Sequence, residues 1–187
     1  MKIEHIRNKY KESIELYENL GKSLVDSIFI LLKNNKIKVL SISYRVKEVN
    51  SFIEKIERKS YKNPLDDIED ICGIRIICYY KKDIDLINDI LKKELDIHES
   101  SDKESSLKYD QFGYRSHHLI ASIKKEWEKV PAFRNLSKLK TEIQIRTVLM
   151  HAWAEIEHSL AYKNEAQTPS QFRRKIHRIS AKLEEAD

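Results

Sequence analysis

Apolar positions in the first part of the chain recur at steps of three and four residues: Ile6, Tyr10, Ile14, Tyr17, Leu20, Leu24, Ile28 and Leu31. That spacing predicts a long helix over residues 3–33, or two helices with a kink near Gly21. Ile37 to Ile42 reads as a short extended segment. A second helix is expected from Arg45 to Lys59, stopped by Pro64, with a short turn or helix at residues 66–68. The β-branched, apolar run Gly73 to Tyr80 predicts a central strand. Asp83 is expected to cap a helix reaching Glu94, and Glu99 to Gln111, rich in Ser, Asp and Lys, reads as a mobile loop. His118–Lys124 and Leu139–Arg146 read as further strands, Thr147 as the cap of a helix to Lys163, and Pro169 as the start of a last one. Strands separated by helices, with helices at both ends, predict an α/β (α+β) fold: a central mixed β-sheet flanked by helices. No internal repeat is visible. The expected organisation is a single domain over 1–187, with an N-terminal helical region (1–43), a core (44–163) and a C-terminal helix (164–187).

Composition sharpens this picture. The 187 residues suffice for one packed core, and three Gly and three Pro leave little room for long flexible linkers. A net charge of +5 and a pI near 9.0 favour polyanionic partners (nucleotides, RNA or a membrane surface), weighed against an ordinary solvated lysine-rich surface. Cys72 and Cys78 lie in an apolar run, which suits buried free thiols better than a zinc site needing four ligands. With no signal peptide and no long apolar span, the expected location is the cytoplasm and no membrane partner is expected.

Candidate chemistry concentrates in four places. In Thr141–Thr147, alternation puts Ile143 and Ile145 on one face and Glu142, Gln144 and Arg146 on the other, a carboxylate, amide and guanidinium suited to a cleft that handles metal-bound phosphate. Winding residues 45–59 at roughly 100° each brings Lys47, Ser51, Lys55 and Arg58 onto one helix side, with Val49, Phe52, Ile53 and Ile56 opposite. Such a row of donors suits a polyphosphate, and the competing reading is a solvated charged face. Asp70, entering the central strand, is a natural ligand for a hard cation, against a plain cap or loop role, and Arg75 projects from that strand where it could stack on a base. In Gly113–His118, Tyr114 could stack on a purine while Ser116 and His118 bond its phosphates; a Tyr packed at a sheet edge is the plainer alternative. His117 and His118 face opposite ways on a strand, so they make a poor metal pair. His151, Glu155, His158 and Tyr162 share one side of the following helix, where structural hydrogen bonding is the expected role of the histidines. The absence of HExxH and of GxxxxGK[ST] argues against a zinc protease and a P-loop NTPase, and no nucleophile elbow supports a Ser or Cys hydrolase.

Four blocks stand in order: Arg45-x-Lys47-x3-Ser51-x3-Lys55 with Arg58-Lys59; Asp70-Ile71-Cys72-Gly73-Ile74-Arg75; Gly113-Tyr114-Arg115-Ser116-x-His118; and Glu142–Thr147 with Met150–His158. In these the sequence resembles the synthetase domain of RelA/SpoT-type alarmone synthetases, especially the small single-domain ones. The resemblance implies a nucleotidyltransferase-like fold and a Mg²⁺-dependent pyrophosphokinase that moves the β,γ-pyrophosphate of ATP onto the ribose 3′-hydroxyl of GDP or GTP, making a stringent-response alarmone. It implies that Arg45 and Arg75 sandwich the adenine and that Lys47, Ser51, Lys55 and Arg58 hold the ATP phosphates. Asp70 would bind Mg²⁺. Glu142 would orient or deprotonate the 3′-hydroxyl, with a share in metal binding. Tyr114 would stack on the acceptor guanine, with Ser116, His118, Gln144 and Arg146 on the acceptor side. One departure stands out: many relatives carry a Lys four residues before the motif Tyr, where this chain has Asp110, and Lys103 or Lys108 could substitute. The alternatives are a toxin-type relative acting on adenosine nucleotides or the tRNA 3′ end, and a non-catalytic RNA- or nucleotide-binding module. A homotetramer or an antitoxin partner are both open, and the end at Leu183–Asp187, inside an expected helix, suggests a shortened chain.

Overall fold

The computed structural model describes residues 2–102, 116–161 and 170–187. Its first element, α1 (Lys2–Asn34), is one unbroken helix. Tyr10, Tyr17, Leu20, Leu24, Ile28 and Leu32 form its buried stripe. Gly21 has a different reason from the expected kink: a β-carbon there would sit 2.3 Å from Cδ2 of Tyr44, so the glycine admits that ring against the helix.

The chain continues through β1 (Val39–Val46), α2 (Val49–Arg58), α3 (Pro64–Asp67), β2 (Cys72–Cys78), α4 (Lys81–Glu94), β3 (Leu95–Asp102) and β4 (His117–Ile123). Two short 3-10 turns lead to β5 (Thr141–Thr147), α5 (Val148–Ala161) and α6 (Ser170–Ala186). The five strands form one mixed sheet in the order β1-β2-β5-β4-β3. The β2–β5 pair is parallel and the other three pairs are antiparallel. No helix among the described residues is long and apolar enough to cross a membrane.

Three expectations are corrected. β1 runs past Ile42 to Val46, which takes Arg45 out of the helix and leaves Lys47 in the turn before it; cross-strand pairing of Arg45 with Gly73 and Val46 with Cys72 overrides the helical periodicity. Residues 99–102, expected in a loop, belong to β3, which forms because it pairs along β4. The rest of that segment lies outside the described residues, as do Pro169 and the far end of the helix expected to reach Lys163. Asp83 sits in the first turn of α4, whose N-cap is Tyr80 without a side-chain bond. By contrast, Thr147 caps α5 as expected: its Oγ1 accepts from Met150 N–H at 3.0 Å.

Alternation sorts the sheet into two faces. Cys72, Ile74, Ile76 and Cys78 of β2 join Ile143 and Ile145 of β5 and Leu119, Ala121 and Ile123 of β4 in the core, where α1 and α4 pack. Both cysteines are buried free thiols, and burial pushes their pKa up, to about 11 for Cys72 and about 12 for Cys78. The opposite face carries the polar side chains.

Candidate active site

The ladder registers line up two rows across that polar face. One runs Arg45, Gly73, Glu142, Ile120 and Glu99; the next runs Ser43, Arg75, Gln144, His118 and Ser101. Five strands far apart in sequence thereby bring two arginines, two acids, an amide and an imidazole onto one floor. Gly73, between Arg45 and Glu142, leaves the floor clear: a β-carbon there would make ordinary contacts with Arg45, at 3.8 Å from its Cγ and 4.0 Å from its Nε and carbonyl oxygen.

Asp70 sits just before β2 at the edge of this floor. Lys55 Nζ lies 2.8 Å and Lys47 Nζ 3.2 Å from the same carboxylate oxygen, Oδ2. Burial alone would raise the Asp70 pKa, but the two ammoniums override it and hold the carboxyl below its ordinary range. The other oxygen, Oδ1, is buried with no hydrogen-bond partner. Lys47 is set by the core: the Tyr10 hydroxyl donates to its carbonyl, and Tyr10 stacks on Phe52 of α2 with centroids 3.9 Å apart. Its own N–H donates to Ile71 O at 2.9 Å. Val49, Phe52, Ile53 and Ile56 bury the inner side of α2, as expected. Lys47, Ser51, Lys55 and Arg58 then line one recess together with Glu54 and Asp70.

Glu142 is held at both oxygens. His118 Nδ1 lies 2.9 Å from Oε1, and Gln144 Nε2 donates to Oε2 at 3.0 Å. Burial pushes its pKa up, yet these bonds outweigh that and keep the carboxyl below its usual range. The chain of bonds continues outward on both sides. Ser116 Oγ is 2.6 Å from His118 Nε2, and Arg146 Nη2 donates to Gln144 Oε1 at 2.8 Å. Arg146 Nε is buried without a partner.

Asp70 and Glu142 line a common cavity of about 360 Å³ with Arg45, Arg75 and Gln144. They also share a second, adjoining recess with Lys55, Tyr61 and His118. The two carboxylates therefore stand where the two recesses adjoin. α5 closes one side: Glu155 pairs with Arg75 at 3.5 Å, and His158 lines the first cavity. His151 Nδ1 makes no hydrogen bond and lies 3.7 Å from Glu155; burial and the charge of Arg75 pull its pKa down, favouring the neutral ring. Tyr114 lies outside the described residues.

Sequence reasoning missed Ser43, Tyr61, Glu155 and His158 as lining. The one signal available was the shared helix side of Glu155 and His158; nothing in the sequence said that it faces Arg75. Among the described residues no group of three or more His, Cys, Asp or Glu could hold a metal by itself. What the floor offers is two carboxylates amid cations, with an unpartnered acceptor at Asp70 and an unpartnered donor at Arg146. That combination suits an anionic ligand carrying its own hard cation.

Comparison with known proteins gives this chemistry a lineage. The profile of the region found in RelA / SpoT proteins matches residues 44–167, which contain the cavity-lining residues Arg45 to His158. GTP pyrophosphokinase YjbM of Bacillus subtilis (strain 168) is 34% identical over 142 residues, 74% of this chain and 64% of that protein. GTP pyrophosphokinase YwaC of the same organism is 35% identical over 132 residues, 68% of this chain and 60% of that one. The match thus spans less than two thirds of either relative's length. The crystal structure of small alarmone synthetase 1 from Bacillus subtilis bound to its product pppGpp aligns with a TM-score of 0.75 and 28% identity, covering 96% of this chain and 93% of that one. With all the cleft residues named above except Ser43 inside the matched region, the chain belongs to the RelA/SpoT family.

Proposed function

We propose that the protein transfers the β,γ-pyrophosphate of ATP to the ribose 3′-hydroxyl of GDP or GTP. The observation that carries this reading is the meeting of Asp70 and Glu142 at the junction of two recesses, one carboxylate bound to the lysines beside α2, the other bound to none of them. The names of the relatives, GTP pyrophosphokinases, supply the reaction class.

In this reading Lys47, Ser51, Lys55 and Arg58 bind the ATP phosphates, and Arg45 and Arg75 hold the adenine between them. Tyr114, Gln144 and Arg146 form the acceptor side, with Ser116 and His118 next to Glu142. The acceptor 3′-oxygen attacks the β-phosphorus, the bond from that phosphorus to the α-phosphate oxygen breaks, and AMP leaves. The hydroxyl proton passes to Glu142. Asp70, with Glu142, fits Mg²⁺: Oδ1 is buried and unpartnered, and a hard cation with one or two carboxylates takes its remaining ligands from phosphate and water. Bound there, the ion would supply charge neutralisation for the transferring phosphates. Phosphoryl-type transfer asks little covalent chemistry of a protein, so alignment and charge placement carry the rate.

The test is transfer of label from γ-labelled ATP to GDP, GTP, AMP and tRNA offered separately to the pure protein. Label on GDP or GTP supports the reading. Label confined to tRNA or AMP overturns the acceptor, and no label on any of them overturns the enzymatic account.

A further inference from the structure

His118 is the side chain whose surroundings fit least well with an acceptor contact. Both of its ring nitrogens are engaged within the protein: Nδ1 with Glu142 Oε1 at 2.9 Å, Nε2 with Ser116 Oγ at 2.6 Å. An ionised carboxylate can only accept, so Nδ1 carries the proton and donates to Glu142. In the neutral ring Nε2 is then an acceptor, and the buried Ser116 hydroxyl donates to it. Neither nitrogen is left to reach a phosphate. On the other side, Gln144 fixes Oε2, and Arg146 fixes Gln144. Glu142 is thereby gripped at both oxygens by hydrogen-bond donors, each steadied by a further residue. This is the logic by which an orienting group holds a catalytic side chain in one tautomer and one rotamer.

The register explains how this grip arises. β4 and β5 pair so that His118 lies opposite Gln144 and Ile120 opposite Glu142. The imidazole therefore reaches Glu142 diagonally, and Ser116, two residues earlier in the chain, comes in behind the ring.

We propose that His118, backed by Ser116, is a positioning residue that acts through Glu142, and that it does not bind the acceptor. The proposal rests on the reading of Glu142 as the group that receives the hydroxyl proton. It predicts that losing the Nδ1 donor lowers kcat and leaves the acceptor KM alone.

The test compares His118→Ala, His118→Asn and His118→Gln with wild type in steady-state transfer to GDP. Asn carries its amide nitrogen close to the Nδ1 position, whereas Gln carries it near Nε2. The expected result is a kcat lower by about 10- to 10²-fold in the Ala and Gln variants, the usual cost of misplacing a reacting group, with acceptor KM within about twofold of wild type and kcat largely restored by Asn. An acceptor KM raised tenfold or more with kcat preserved, or failure of Asn to rescue, overturns the proposal. A second measurement is independent of turnover: ¹⁵N NMR of the His118 ring should show a protonated Nδ1 and a hydrogen-bonded, unprotonated Nε2. Glu142→Gln should move the Nδ1 signal and Ser116→Ala the Nε2 signal. If no acceptor is labelled, the proposed function fails, and these ring signals still decide the arrangement: a proton on Nε2 with Nδ1 bare sinks it.

Discussion

Lys55→Met offers a direct probe of the lysine clamp on Asp70. In the wild type two ammoniums bind one carboxylate oxygen, at 2.8 and 3.2 Å, and the side chains of Lys55 and Asp70 are 19% and 28% exposed. A hydrogen bond to a charged group contributes about 1.5–3 kcal/mol. Partial exposure screens the pair, and Lys47 remains to satisfy the acid, so the expected loss lies at the lower end, about 1–2 kcal/mol. The pH dependence has a definite sign. The Asp70 carboxyl is lowered in the folded state, so its contribution is complete above the unfolded-state pKa and is lost as pH falls through the folded-state pKa. Urea denaturation of wild type and variant along a descending pH series should therefore give curves that differ at neutral pH and converge in acid. A gap that stays constant down to the acid limit of the folded protein would refute the argument. It would mean that Lys55 contributes through the packing of its stem and not through its charge.

Other outcomes follow from the same geometry. Asp70→Asn and Glu142→Gln should each lower pyrophosphate transfer by on the order of 10²-fold or more, with thermal unfolding still cooperative; full activity in either variant would remove that carboxylate from the mechanism. Gly21→Ala places a methyl within 2.3 Å of the Tyr44 ring. It should cost about 1–3 kcal/mol by overpacking, more than the roughly 1 kcal/mol that alanine gains in helix propensity. Adding Tyr44→Ala should remove most of that overpacking penalty, which a double-mutant cycle in urea would measure. Cys72 and Cys78, buried and with pKa raised to about 11 and about 12, should react with a thiol reagent only as fast as the protein opens. Rapid labelling of the native protein would contradict their burial.

The core elements were legible because their periodicities are strong. The stripe of α1 and the alternation of β5 each announce one buried face, and both appear where they were expected. What failed depends on partners distant in sequence. Arg45-Val46-Lys47 continues the helical spacing of α2, and only β2, lying alongside, makes Arg45 and Val46 a strand. β3 has two apolar residues, Leu95 and Ile97, and takes its form from β4. Gly21 answers to Tyr44 rather than to its own helix. The candidate site divides in the same way. Residue types at Asp70, Glu142 and the lysines could be read directly. The grip of His118 on Glu142 could not, because it follows from the register of β4 on β5.

The parallel pairing of β2 with β5 has a consequence for the growing chain. Asp70 is made before α4, β3 and β4, whereas Glu142 emerges only after all of them, and the two come together when β5 slots in between β2 and β4. Insertion of a late strand into the middle of a sheet is a non-local, slow event. A nascent chain released short of Glu142 would carry the lysine cradle without its second acid. Competence to react would thus arrive abruptly, once β5 has been made.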